Sequence, residues 1–188
     1  MVNAIGRVRY SRNLTQDGRP SNFQVQRSMY YYGYGKPEQR RDGETRGTWY
    51  DQNGDVRSYG AALAWAKGTA LRNKYTYALL LSVKDVQLTP EAFVFAMQQS
   101  NPPFSQWRLI AHDDTAYAHA HVIAFSNRTL PKRDVVGWSS RVRNVLEEMR
   151  HERIQRLDQP KEQADSTMAP VAHTMGIESA ELDMTIGL

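Results

Sequence analysis

The sequence predicts an α+β domain in which a central antiparallel sheet carries flanking helices. Apolar residues recur at helical spacing near 58–73, 89–101 and 134–157, and strand-like runs rich in β-branched and aromatic residues fall at 75–83, 107–112 and 118–126. A short polar stretch separates the last two runs, so they read as a hairpin, and hairpin-joined strands are antiparallel.

Residues 2–10 alternate in part, with Val2, Ala4, Val8 and Tyr10 as apolar members, and form a first strand in this reading. Turn chemistry follows over 13–22, where Asp17-Gly18-Arg19-Pro20 stands. The segment 36–55 is charged, glycine-containing and without periodicity, so it reads as a long loop or hairpin with Asn53-Gly54 at its turn. Ser58 caps an alanine-rich helix that holds Ala61, Ala62, Ala66 and Ala70. The run 75–83 is long and apolar, as expected of a strand inside the sheet. Thr89-Pro90-Glu91 opens the next helix, with proline at its first position, and Asn101-Pro102-Pro103 stops it. The last helix opens at Asp134 or Val135 and runs through Leu157, its apolar stripe made by Val135, Trp138, Val142, Val145, Leu146 and Met149.

With 188 residues, 40% of them hydrophobic, the chain can form one domain with a full core, expected over 1–157, and an acidic tail over 158–188. The tail loses periodicity and is expected to be disordered or a short docking segment. It carries one base and six acids, a net of −5, so the formal charge of +4 leaves +9 on residues 1–157. Such a domain attracts polyanions. The absence of cysteine excludes a disulfide framework and thiolate metal sites. No run approaches the roughly 20 apolar residues of a membrane span, and the N-terminal residues lack the apolar core of a secretory signal. A cytoplasmic protein without membrane insertion is expected.

Three of the five histidines fall within ten residues: His112, His119 and His121. In a strand, residues two apart share a face, so His119 and His121 project side by side, and the hairpin brings His112 opposite them. Neutral imidazoles suit manganese, cobalt, nickel or zinc and are poor ligands for calcium or bare magnesium. Three protein ligands leave positions open for water or substrate, the mark of a catalytic rather than a closed structural site. By contrast, His151 lies amid Glu148, Glu152 and Arg153 and reads as a surface residue; His173 reads as inert.

The pattern His112-x-Asp114-x(4)-His119-x-His121, followed by hydrophobic residues and Asn127-Arg128, resembles the third motif of the mobilisation relaxases of conjugative and mobilisable plasmids. These belong to the HUH endonucleases, named for His-hydrophobic-His. The resemblance covers about residues 23–130. It implies an HUH endonuclease fold, a divalent cation (manganese or magnesium in use, with zinc, nickel or cobalt possible) on the three histidines, a supporting role for Asp114, and a tyrosine nucleophile upstream. Tyr30-Tyr31-Tyr32-Gly33-Tyr34-Gly35 is similar to the family segment Tyr-Leu-x-Arg-acid-Gly when the glycines are aligned, which selects Tyr30. Gly33 and Tyr34 depart from that segment, so Tyr31 and Tyr32 stay open as alternatives. The stretches 40–44 and 47–51 also look like the region after the nucleophile in one branch of relaxases.

On this resemblance the chain would nick and rejoin single-stranded DNA at an origin of transfer in plasmid mobilisation or conjugation. It would pass through a 5′-phosphotyrosyl intermediate and meet accessory, coupling or secretion proteins. Arg7, Arg9 and Arg27, with Arg40 and Arg41, are the expected phosphate contacts, since the guanidinium fork suits phosphate and neighbouring tyrosines stack on bases. Two alternatives stand beside it: a DNA-binding accessory protein that does not cleave, and a metal-dependent phosphodiesterase that needs no tyrosine.

Overall fold

The architecture follows from a computed structural model, which describes residues 7–35, 45–84, 86–112 and 117–158. Six strands and four helices alternate in the order β1 (Arg7–Arg12), α1 (Phe23–Tyr34), β2 (Thr48–Asp51), β3 (Val56–Arg57), α2 (Tyr59–Arg72), β4 (Tyr75–Ser82), α3 (Pro90–Gln99), β5 (Gln106–His112), β6 (His119–Ser126) and α4 (Lys132–Asp158). The strands form one sheet in the order β1-β4-β6-β5-β2-β3, and every pairing is antiparallel. The expected α+β class with an antiparallel sheet therefore holds.

Alternation along the central strands divides the core in two. On one face, Tyr77, Leu79 and Leu81 of β4 with Val122 and Ala124 of β6 pack against Phe93 and Met97 of α3 and Trp138, Val142 and Leu146 of α4. On the other, Ile110, Ile123 and Phe125 meet Val25 and Met29 of α1 and the alanines of α2. Ala62, Ala66 and Ala70 recur every fourth residue, and their small side chains let α2 lie close to the sheet.

Local chemistry fixes the ends of these elements. The Ser58 hydroxyl accepts a hydrogen bond from the Ala61 amide at 3.2 Å and caps α2. Pro90 occupies the first position of α3. Ser100 closes that helix, donating its hydroxyl to the Met97 carbonyl and accepting the Trp138 indole N–H at 2.8 Å, which ties α3 to α4.

One element was not expected. Residues 23–34 form α1, ended by Gly35 at a positive φ of 72° with its amide bonded to the Tyr31 carbonyl. The C-terminal part of the segment 36–55 opens a hairpin, β2 to β3, that spans 48–57 and turns at Gly54. Residues 2–6 of the expected first strand, residues 36–44 and the tail beyond Asp158 lie outside the described residues. Among the described residues no helix is long and apolar enough to cross a membrane.

Candidate metal centre

The histidines owe their meeting to ladder register. His112 ends β5 and His119 opens β6 as its cross-strand partner, while His121 follows two residues on, opposite Ile110 and Leu80. All three rings therefore stand on the sheet face that α1 covers. Their centroids lie 5.0, 5.4 and 5.4 Å apart, a nearly equilateral group, and one ring nitrogen from each falls within 4.8 Å of the others. The trio could hold a metal ion.

Three further observations fit that use. The Nδ1 of His119 sits 3.2 Å from the Tyr117 carbonyl, and a carbonyl only accepts, so Nδ1 is the donor in that contact. Burial pushes the His121 pKa down to about 3, with His112, His119 and Arg46 adding to the shift, so this ring is neutral at any working pH. Arg46 and Gly47 lie beside the group. The Arg46 amide bonds to the Gly33 carbonyl at 2.7 Å, and Gly47, at φ 107°, passes so close to β5 that a Cβ there would collide with the Ala111 carbonyl and lie 3.4 Å from His112 Nδ1.

Helix α1 sorts the three tyrosines by direction. Val25, Met29, Tyr32 and Gly33 share its sheet-facing stripe, and the Tyr32 ring stacks on His121 at 4.1 Å with only 10° between planes. Gln24, Arg27, Ser28 and Tyr31 share the next stripe, and Tyr31 meets His121 edge-on at 6.4 Å while 46% exposed. Tyr30, selected by the glycine alignment, packs instead against Tyr34 at 5.0 Å, and Tyr34 meets Tyr59 at 4.9 Å. Gly33 permits this contact, since a Cβ there would sit 2.8 Å from the Tyr59 ring. Burial, with Tyr31 adding and Arg9 opposing, raises the Tyr32 phenol to about 12.

Arg7 and Arg9 of β1 and Arg27 of α1 line an open groove of about 810 Å³ together with Tyr31, Tyr32 and His121. Asp114, Arg40 and Arg41 lie outside the described residues. Arg46 and Gly47, in a segment whose composition predicts only a loop or hairpin, also adjoin the histidines. No family model, curated protein or solved structure matches this chain.

Proposed function

We propose that the protein is a relaxase-like HUH endonuclease that cuts and rejoins single-stranded DNA through a tyrosine ester. The observation that supports it is the grouping of three imidazoles, one of which, His121, meets the rings of Tyr31 and Tyr32 and lines an arginine-bearing groove with them. No single strand of the fold carries all of these, and the cytoplasmic, transfer-origin setting belongs to the same reading.

His112, His119 and His121 would hold a divalent cation, manganese or another borderline ion suiting their nitrogens best, and it would supply positive charge where the scissile phosphate sits. Tyr31 or Tyr32 attacks phosphorus. A phenol O–P bond forms as the P–O3′ bond breaks, and the 3′ oxygen takes up the proton that the phenol gives away. The products are a 5′-phosphotyrosyl link and a free 3′ hydroxyl, with one phosphate ester exchanged for another, so the reverse reaction rejoins the strand. Arg9 favours the phenolate of Tyr32. Asp114, by its place in the motif, would orient a ligand histidine or accept a proton. Arg7, Arg9 and Arg27 hold the strand by its phosphates.

Incubating the protein with manganese and oligonucleotides labelled at the end 3′ to each cut tests this. The expected product is a labelled adduct that survives denaturant, lost in Tyr31→Phe or in Tyr32→Phe. One observation favours the tyrosine-free phosphodiesterase instead, namely the Tyr32 phenol held protonated by burial. Cleavage that persists without an adduct in all three single Phe variants at 30, 31 and 32 would select that reading.

A further inference from the structure

Ladder register sets where each imidazole leaves the sheet, but not the plane that its ring adopts, because the outer torsion of a histidine side chain is broad and roughly two-fold. The lone pair of a ring nitrogen lies in that plane, so the plane decides whether the nitrogen meets an ion. For His119 a hydrogen bond settles the matter, with Nδ1 donating to the Tyr117 carbonyl at 3.2 Å. A ligand histidine ordinarily has such a partner on its second nitrogen. His121 makes no hydrogen bond among the described residues. Against one of its faces lies the Tyr32 ring, 4.1 Å away with 10° between planes. Its other ring neighbours, Tyr31, His112 and His119, meet it edge-on at 70°, 74° and 87° and cover no face.

Tyr32 is held by its ring and its backbone. Its hydroxyl makes no hydrogen bond among the described residues. The ring packs against the cluster that contains Val25, Met29, Ile110 and Ile123. The last turn of α1 is tied down by the Arg46 amide on the Gly33 carbonyl at 2.7 Å and by the Gly35 amide on the Tyr31 carbonyl at 2.8 Å. A coordinated imidazole gives up electron density, and the face of a phenol ring is electron-rich, so this stack gains strength when the site is loaded.

We propose that Tyr32 is a positioning residue for the metal ligand His121, that its ring rather than its hydroxyl performs this role, and that Tyr31 is thereby left as the phenol available for chemistry. The stacked ring replaces the hydrogen bond that orients His119. The first part rests on the histidine group as a metal centre, and only the assignment of Tyr31 rests on the endonuclease reading.

The test is calorimetric titration of manganese into the full chain, with the visible absorption bands of the cobalt(II)-loaded protein as a report of ligand geometry. Tyr32→Phe keeps the ring and should bind manganese within about twofold of the unaltered chain, with the same cobalt bands. Tyr32→Leu fills much of the same space and suits a helix, yet should bind at least about tenfold more weakly, the usual loss when a ligand histidine's orienting partner is removed, and its cobalt bands should shift. Tyr34→Leu removes a neighbouring ring that packs on Tyr30 and Tyr59, away from the histidines, and should bind as the unaltered chain does. Should Tyr32→Leu fail to fold, Tyr32→Met, with a more adaptable side chain, carries the same expectation. Equal affinities in the Phe and Leu variants would overturn the proposal, as would equal losses in Tyr32→Leu and Tyr34→Leu, which would reduce the effect to packing. Failure of the unaltered chain to bind manganese would overturn it too. With manganese and the labelled oligonucleotide, the adduct should persist in Tyr32→Phe and vanish in Tyr31→Phe; its loss in Tyr32→Phe would overturn the proposal by giving the hydroxyl a role. The expected metal affinities without an adduct from any of these proteins would sink the endonuclease reading alone.

Discussion

Replacing Gly47 by alanine probes the support of the histidine group directly. Gly47 has φ 107°, where a side chain strains the backbone by about 1–3 kcal/mol. The added methyl would also overlap the Ala111 carbonyl, a backbone atom fixed in the β2–β5 ladder through the Thr48 pairing. Relieving the overlap means moving one strand end and weakening at least one ladder hydrogen bond, about 1 kcal/mol more. A total of about 3 kcal/mol corresponds to a Tm lower by about 6–12 °C for a domain of this size. Because His112 follows Ala111, metal affinity should fall at least tenfold as well. Gly60→Ala is the control, since a Cβ there meets nothing within 4 Å and its φ is ordinary. That change in α2 should be neutral or stabilising by up to about 1 kcal/mol. Circular dichroism melts of the three proteins, with isothermal titration of manganese, give both readouts. A Gly47→Ala protein that melts within 2 °C of the unaltered chain would refute the close-approach argument.

Three further outcomes are expected. A metal ion at one hundred times its Kd should stabilise the protein by about 2.7 kcal/mol, raising Tm by about 5–11 °C, and His121→Ala should abolish the rise; equal shifts in both would place the ion elsewhere. Asp51 contributes stability with a defined pH window. Burial pushes its carboxyl up, but hydrogen bonds from Arg57 and from the Asn53 and Asp55 amides outweigh this and hold it below its ordinary value. Its folded pKa lies below the unfolded one, so its contribution is full above about pH 3.9 and fades as the pH falls through the folded value. Asp51→Asn should therefore cost about 1–3 kcal/mol at pH 7 and progressively less as the pH is taken below the ordinary carboxylate range, and urea titrations that find an unchanging cost down that series would contradict the assignment. Ser100→Ala removes the acceptor of the buried Trp138 N–H and should cost about 1–3 kcal/mol, a loss that largely disappears when measured in a Trp138→Phe background.

Much of the fold was legible because burial and periodicity agree there. Strand β4, the β5–β6 hairpin and α3 with its Pro90 start were read from pattern alone, to within about one residue. The convergence of His112, His119 and His121 needed only the two-residue strand period and the hairpin. Helix α1 was hidden for a physical reason. Its sheet-facing stripe is Val25, Met29, Tyr32 and Gly33, only two of them aliphatic, and three adjacent tyrosines mask a period of 3.6. Without that helix, only the glycine alignment separates Tyr30 from Tyr31 and Tyr32, whose directions on the helix differ by about 100° per residue. Spacing such as 24, 27, 28 and 31 would have been the available signal. Arg46 and Gly47 escaped because their roles depend on contacts with Gly33 and Ala111, far away in the chain.

Cross-strand pairing of His112 with His119 separates ligand geometry from the length of chain between them. Distance across a ladder is a property of backbone pitch, so residues added or removed after His112 and before His119 would leave the three nitrogens where they are, provided the register of β5 on β6 survives. The ligands would stay in place through such changes, whereas a one-residue slip within either strand would turn its imidazoles to the opposite side of the sheet.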